Sequence, residues 1–184
     1  MSKSWDVIIA GGGPAGSTLG YHLGRAGIKS LLLDKATFPR YKTCGGIVDM
    51  KAVNSLDFDI SPVVEDTISR VLISRNLGQP FSRDCPTPIT CNVSRERFDH
   101  FLLQKAQEAG CTVHQGDAVK SVAWDGQGVA VTTATGERYR GQILAGADGA
   151  NRVVARAAGL RQQAYIGIGP GGEAAADAAE LERW

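Results

Sequence analysis

The sequence lacks the features that mark several large classes of protein. None of its four cysteines forms a CxxC pair, and none of its three histidines stands at ligand spacing from them, so no zinc site is predicted. No apolar run approaches the roughly 18 residues of a membrane-spanning helix, and the run near the N-terminus is too short for a signal peptide. The formal net charge of +1 gives no electrostatic reason to expect nucleic-acid binding. We expect a cytoplasmic protein with reduced thiols, for which peripheral contact with a membrane surface stays open.

What is present is the composition of one globular domain with an unusual tail. The 184 residues are 43% hydrophobic and 21% charged, which suits a folded chain with one core. After residue 160 the composition shifts abruptly to Gly and Ala. We therefore assign residues 1–160 to a domain and residues 161–184 to an irregular tail, whose end over 174–184 is predicted as a frayed helix.

The first 34 residues have the pattern of a strand–helix–strand unit. WDVIIA (5–10) is a short apolar run, typical of a buried parallel strand. Pro14 suits a first helical turn, and Ala15, Leu19, Leu23 and Ala26 then recur at helical spacing before Gly27. KSLLLD (29–34) is predicted as a second buried strand. This unit indicates the α/β class.

The glycines between the first strand and the helix match the pattern GxGxxG over residues 11–16. Gly11 permits a tight turn, Gly13 leaves room for a pyrophosphate beside the backbone, and Gly16 lets the helix lie close to the sheet. Asp34 ends the second strand, where its carboxylate can accept from ribose hydroxyls and would repel a 2′-phosphate. The motif predicts a site for an adenosine diphosphate moiety. By itself it does not separate FAD from NAD, and a purely structural glycine turn is the alternative.

The remaining elements are less regular. Residues 35–90 hold most of the seven prolines, and within them TISRVLIS (67–74) is predicted to be one strand. Apolar residues from Phe98 onward line one face of a helix that ends at Gly110. The later predictions are a strand at 111–115, a hairpin at 118–134, a strand followed by a turn at 142–149 and a short helix at 150–158.

Four ordered segments resemble the FAD-dependent oxidoreductases related to geranylgeranyl reductase, within the wider group of p-hydroxybenzoate hydroxylase-like proteins. They are residues 5–34, FPRYKTCGG from Phe38, VSRERFDHFLLQKAQEAG (93–110) and ILAGADGANRVVAR (143–156). The resemblance implies that residues 1–160 form a Rossmann-like FAD-binding domain with a parallel sheet, flanking helices and a small antiparallel meander at about 118–141. It also implies FAD as the cofactor.

In this family the segment after the second strand crosses the flavin. The resemblance therefore implies that Cys44 lies near the reacting face, and Gly45 and Gly46 would let the main chain pass a planar ring without Cβ clashes. The alternative for Cys44 is a small buried hydrophobic residue. Related halogenases share the pattern up to FPR and then carry a Gly-Glu-Ser segment, which is absent here. The CGG segment favours the reductase branch.

The resemblance implies further cofactor contacts. Arg95 would offset pyrophosphate charge, with a surface salt bridge as the alternative. Val119 would bind the adenine through its main chain. Asp148 would accept from ribitol hydroxyls or hold a bridging water, or would instead cap the helix that follows. No catalytic residue is assigned. The predicted cofactor-binding residues are Gly11, Gly13, Pro14, Ala15, Gly16, Asp34, Lys35, Cys44, Gly45, Gly46, Arg95, Val119 and Asp148.

The implied activity is reduction of an alkene in a small, isoprenoid-like substrate by reduced FAD. Members of the family are longer, and they continue with a substrate sheet and with a second glycine–aspartate motif beside the flavin pyrimidine. Neither feature is found in these 184 residues. The chain is therefore expected to correspond to the N-terminal portion of such a flavoprotein, either as a truncated or frameshifted product or as a short form completed by a partner chain. For the function, an FAD-dependent monooxygenase and a non-catalytic dinucleotide-binding fragment stay open as alternatives.

Overall fold

The computed structural model describes residues 4–76, 78–151, 153–160, 167, 169–172, 175 and 177. The structural findings below concern these residues. Almost all of the tail, including most of the helix predicted at 174–184, lies outside them.

Eleven strands and four α-helices form within the described residues. None of these helices is long and apolar enough to cross a bilayer. The strands are β1 (Ser4–Ala10), β2 (Ser30–Leu33), β3 (Ile47–Asp49), β4 (Val64–Ile68), β5 (Arg70–Ile73), β6 (Phe81–Asp84), β7 (Thr90–Val93), β8 (Thr112–His114), β9 (Val119–Trp124), β10 (Val129–Thr133) and β11 (Arg138–Gly146). The helices are α1 (Pro14–Arg25), α2 (Met50–Val53), α3 (Arg95–Glu108) and α4 (Val153–Ala157).

The central sheet has six strands in the order β8-β2-β1-β11-β10-β9. Neighbours from β8 to β11 are parallel, whereas β11, β10 and β9 are antiparallel to one another. The α/β class and the antiparallel meander are confirmed. The meander is continuous with the parallel part, because β11 pairs with β10 at its start and with β1 over residues 140–146. The predicted strand at 142–149 therefore begins earlier, at Arg138.

Helix α1 packs against α3 through small residues. A Cβ on Gly20 would lie 3.3 Å from Ala106, and one on Gly24 would lie 2.5 Å from the carbonyl oxygen of Ala109. The buried residues of α1 are Gly16, Ser17, Gly20 and Tyr21. The predicted helix is confirmed; of the residues that recur at helical spacing, Leu19 and Leu23 are partly buried against the core, whereas Ala15 and Ala26 are exposed. The glycines turn inward because they let two helix backbones approach closely.

The segment between β2 and α3 forms two small sheets. A three-stranded sheet has the order β3-β7-β4, and β5 and β6 form a separate ribbon. The prediction of one strand at 67–74 is wrong, because the chain leaves the β4–β7 ladder at Ser69, whose carbonyl accepts a hydrogen bond from the Cys85 N–H at 2.7 Å. Cys91 and Val93 of β7 pack with Phe98 and Leu102 of α3. This packing brings the 44–46 segment, which precedes β3, beside the start of α3.

Candidate cofactor-binding site

In the glycine turn, residues 11–16, two glycines are required for packing and one faces open space. Gly11 has φ +109°, and a Cβ there would overlap the Ala147 carbonyl. A Cβ on Gly16 would overlap the Gly11 carbonyl oxygen. On Gly13, by contrast, the nearest atom to a Cβ would be Arg40 Nη2, at 4.0 Å. The turn therefore keeps its backbone open at Gly13, immediately before Pro14 begins α1.

Asp34 lies at the end of β2, next to this turn, and is 9% exposed. Its Oδ2 accepts from the Gly12 N–H at 2.5 Å, and its Oδ1 accepts from the Ala36 N–H at 2.7 Å. An ionised carboxylate has about four acceptor positions, so both oxygens retain capacity for a further donor. Asp34 thus braces the glycine turn and remains able to accept from a hydroxyl group. The neighbouring Lys35 is exposed.

A buried carboxylate, Asp99, joins two arginines at the start of α3. Its side chain is fully buried and accepts from Arg95 Nε at 2.7 Å and from Arg95 Nη2 at 2.9 Å. It also accepts from Arg40 Nη2 at 2.8 Å. Hydrogen bonding to Asp99 raises the pKa of Arg95, so this guanidinium remains charged. The three groups together carry a net positive charge.

Arg40 retains donor capacity beside the glycine turn. Its guanidinium carbon lies 4.7 Å from the centre of the Phe38 ring, so the aromatic ring supports the cation. Its Nη1 is buried and has no hydrogen-bond partner among the described residues. Sequence reasoning missed both Arg40 and Asp99. The spacing of Arg95 and Asp99, four residues apart on a predicted helix, could have indicated the ion pair on that helix.

Cys44 is exposed, which makes the alternative of a small buried hydrophobic residue wrong. Its Sγ accepts from the Gly46 N–H at 3.5 Å. This backbone hydrogen bond, followed by hydrogen bonding to Arg95, lowers the pKa of Cys44 below that of an ordinary thiol. The structure thus brings Cys44 and Arg95, predicted separately, into contact.

The two glycines after Cys44 differ in what surrounds them. Gly46 has φ +72°, and a Cβ there would overlap the Val93 carbonyl oxygen. Its own carbonyl accepts from the Val93 N–H at 2.9 Å, which ties the segment to β7. No atom lies within 4 Å of a Cβ placed on Gly45. Gly46 is therefore needed for packing, whereas Gly45 presents an open backbone.

Cys44 and Arg95 line two adjoining cavities. One has a volume of about 570 Å³ and is also lined by Gly45, Lys42 and Val93. The other has a volume of about 540 Å³ and reaches the first turn of α1; its further lining residues include Pro14, Ala15, Ile47, Leu56, Phe98 and Leu102. Five of the predicted cofactor-binding residues thus meet around these cavities. The other eight line neither cavity: Gly11, Gly13, Gly16, Asp34, Lys35, Gly46, Val119 and Asp148.

Two predicted residues take part mainly in local structure. Asp148 Oδ2 accepts from the Val154 N–H at 3.1 Å, which is the capping interaction considered as the alternative for this residue. Val119 begins β9 and pairs with Thr133, where the register between β9 and β10 shifts. Its side chain packs against the core cluster that contains Ile8 and Leu33. Cofactor contacts of Asp148 and Val119 remain predictions.

Comparison with known proteins shows that this chain is similar to reductases, monooxygenases and halogenases. An uncharacterized protein from Methanosarcina barkeri is 34% identical over 166 residues, and geranylgeranyl diphosphate reductase from Rhodobacter capsulatus is 34% identical over 158 residues. These matches cover 90% and 82% of this chain, but only 43% and 39% of the relatives. An FAD-dependent monooxygenase from Penicillium paxilli is 32% identical over 169 residues, covering 85% of this chain and 35% of that protein. Halogenases also match.

A solved structure supports the same fold. The geranylgeranyl bacteriochlorophyll reductase-like protein from Thermoplasma acidophilum superposes with a TM-score of 0.73 at 22% identity, covering 86% of this chain and 43% of that one. At this identity the likeness concerns the fold alone. The profile of the FAD binding domain family matches residues 4–181. The chain therefore belongs to the FAD binding domain family of oxidoreductases, and its cofactor is FAD.

Proposed function

We propose that this chain binds the diphosphate of FAD at the glycine turn and the flavin beside Cys44, within an oxidoreductase of the geranylgeranyl reductase type. FAD, when reduced, would supply hydride equivalents to an alkene of an isoprenoid-like substrate. The observation that carries the proposal is the cavity of about 540 Å³, because Pro14 and Ala15 of the first helical turn line it together with Cys44 and Arg95. One cavity thus links the predicted diphosphate and flavin regions.

The residues at the glycine turn fit a diphosphate. The open side of Gly13 leaves room for phosphate oxygens. The first-turn N–H groups of α1 and the positive end of its dipole favour an anion there. Arg40 adds a guanidinium whose Nη2 is the atom nearest to the open side of Gly13, and guanidinium groups bind phosphate strongly.

The residues around Cys44 fit the flavin and an apolar substrate. Gly45 offers open backbone, against which a planar ring can lie. The cavity wall beyond Cys44 carries Ile47, Phe98 and Leu102, which suit an apolar group. In this proposal Arg95, held charged by Asp99, lies at the boundary between the phosphate region and the ring region.

A monooxygenase is the second candidate for the reaction. The Penicillium paxilli monooxygenase favours it, since its identity to this chain is close to that of the Rhodobacter capsulatus reductase. The CGG segment at 44–46 favours the reductase. The two reactions differ in product, because alkene reduction adds two hydrogens to a double bond whereas monooxygenation adds an oxygen atom.

Two chimeric enzymes test the choice between alkene reduction and monooxygenation. Residues 4–160 would replace the matching segment of the Rhodobacter capsulatus reductase in one chimera and of the Penicillium paxilli monooxygenase in the other. We expect the reductase chimera to reduce geranylgeranyl diphosphate, with products identified by mass spectrometry, and the same chimera with Gly13→Val to be inactive. Activity of the monooxygenase chimera alone would reverse the assignment. If both fold and neither turns over, residues 4–160 act as a binding module only.

A further inference from the structure

We infer that Asp99 is a positioning residue that aims Arg40 at the diphosphate of the cofactor. The inference rests on the proposed function, since it concerns how the chain holds the diphosphate at the glycine turn. Asp99 would not contact the cofactor itself. It would act by binding Nη2 of Arg40 and thereby holding the guanidinium beside Gly13.

The carboxylate of Asp99 is held in one orientation by its own helix. Arg95, four residues earlier on α3, donates to Oδ1 through Nε and to Oδ2 through Nη2. This two-point contact fixes the plane of the carboxylate. Asp99 is also 0% exposed, so water does not compete for either oxygen.

The oriented carboxylate then holds Arg40, which lies 59 residues away in sequence. Arg40 donates to Asp99 Oδ2 through Nη2, while Phe38 lies against its guanidinium. Nη2 carries two N–H groups, so it keeps one donor besides the one given to Asp99. Nη2 is also the atom nearest to the open side of Gly13, so the contact with Asp99 fixes this nitrogen beside the predicted phosphate position.

The charge balance of the cluster also suits an anion. One buried carboxylate requires one cation for neutralisation, and Arg95 already provides it through two hydrogen bonds. Arg40 is therefore an additional charge, 19% exposed at its side chain, next to the N-terminus of α1. A cluster that served only to neutralise Asp99 would need no second arginine.

Replacement of Asp99 by asparagine distinguishes a positioning role from simple charge balance, because the two predict opposite changes in phosphate affinity. Removal of a negative charge beside Arg40 should strengthen phosphate binding if only the electrostatic field matters. If Asp99 positions Arg40, the same change should weaken phosphate binding, because the guanidinium loses its orienting partner. A general structural defect would weaken every nucleoside ligand alike.

The test compares ADP with adenosine, which lacks phosphates, by NMR titration of the full 184-residue chain. We expect the wild-type chain to prefer ADP, and Asp99→Asn to reduce this preference about tenfold, the loss expected for one charge-assisted hydrogen bond, with adenosine affinity unchanged. Glu108→Gln is the matched control, since it removes an exposed carboxylate from the same helix. An unchanged or increased ADP preference in Asp99→Asn would overturn the inference.

A second variant covers the case in which Asp99→Asn does not fold. Arg40→Lys keeps the charge but replaces the planar guanidinium, whose N–H directions are fixed, by a flexible ammonium that Asp99 cannot orient in the same way. A comparable loss of ADP preference supports the inference, and full retention overturns it. If the wild-type chain binds ADP no better than adenosine, the proposed diphosphate site itself fails. If the wild-type chain prefers ADP and the variants keep this preference in full, the diphosphate site is supported and the positioning role of Asp99 is contradicted.

Discussion

Gly13 and Arg40 lie on either side of an open space at the start of α1: a Cβ on Gly13 would be 4.0 Å from Arg40 Nη2 and near nothing else. Glycine is therefore not needed at this position for the packing of the described residues. Its φ of −70° is also accessible to any residue. The position is best explained by a ligand that occupies the space.

The first prediction follows from this relationship. Gly13→Val should abolish ADP and FAD binding, because the side chain would enter the space needed by the phosphates, while the helical circular dichroism stays unchanged. Gly16→Val is the contrasting variant and should unfold the chain, since its side chain would overlap the Gly11 carbonyl. Unfolding of Gly13→Val would show that this position serves packing and would remove its support for the site.

The second prediction separates Gly45 from Gly46 by stability. Gly46→Ala should lower the free energy of unfolding by about 1–3 kcal/mol, because its left-handed backbone and the nearby Val93 carbonyl both disfavour a Cβ. Gly45→Ala should leave this free energy within about 0.5 kcal/mol. Urea denaturation followed by circular dichroism measures both. Equal effects would contradict the different surroundings of the two glycines.

The third prediction concerns the acidity of Cys44. The Gly46 N–H and Arg95 both favour the thiolate, so the pKa of Cys44 is lower in the folded chain than in the unfolded chain. The associated stabilisation is present above the unfolded-state pKa and is lost as the pH falls through the folded-state pKa. Because Cys44 is exposed, we expect this effect on stability to be small.

Alkylation by iodoacetamide at a series of pH values measures the pKa of Cys44, with the modified cysteine identified by mass spectrometry. Cys44 should react at lower pH in the native chain than in urea, and Arg95→Gln should move the native midpoint upward. Cys111 serves as an internal comparison, because burial raises its pKa. Identical midpoints for Cys44 in native and denatured chains would contradict the proposed stabilisation of its thiolate.

Local patterns in the sequence predicted the turn between β1 and α1, because most interactions that shape it are short in range. Gly16 is needed for a reason visible within six residues, because a Cβ there would overlap the Gly11 carbonyl oxygen. Gly11 has a positive φ within the same turn, but the group that a Cβ there would overlap is the remote Ala147 carbonyl. Asp99 shows the opposite case: its partner Arg40 comes from a segment with no regular periodicity. The four-residue spacing could indicate the pair that Asp99 forms with Arg95, but no local pattern indicates its contact with the remote Arg40.

The difference between local and remote interactions also explains where the fold predicted from the sequence departs from the structure. TISRVLIS has the composition of one strand, yet it divides at Ser69 because its two halves pair with different strands. The apolar spacing along α1 likewise did not indicate its closest contact, since the close approach of α3 at Gly20 and Gly24 requires glycine in place of larger apolar residues. Both outcomes depend on tertiary partners, which composition does not reveal.

The fourth prediction concerns Asp34. Asp34→Ala should weaken ADP binding by about 1–2 kcal/mol, the scale of a charge-assisted hydrogen bond to the ribose. The carboxylate also accepts from the Gly12 N–H, so part of the loss would come from a looser turn. Asp34→Asn separates the two contributions, because its amide oxygen can still accept from Gly12. Calorimetric titration measures both variants, and unchanged ADP affinity in Asp34→Ala would reduce this residue to a structural role.

The last prediction concerns how much of the binding energy comes from each half of FAD. At the adenosine diphosphate end, Gly12, Gly16 and Asp34 are buried and hold a rigid turn, whereas Cys44 and Gly45 at the predicted flavin end are exposed. Most of the binding energy should therefore come from the adenosine diphosphate half, with the isoalloxazine ring mobile and in contact with water. We expect the purified 184-residue chain to lose FAD on gel filtration, ADP to compete with FAD almost evenly, and any retained flavin to fluoresce like the free cofactor. The chain alone should not reduce an isoprenoid alkene. A yellow preparation that keeps stoichiometric flavin and reduces geranylgeranyl diphosphate would contradict this picture, because the exposed residues around Cys44 would then be sufficient to hold the ring.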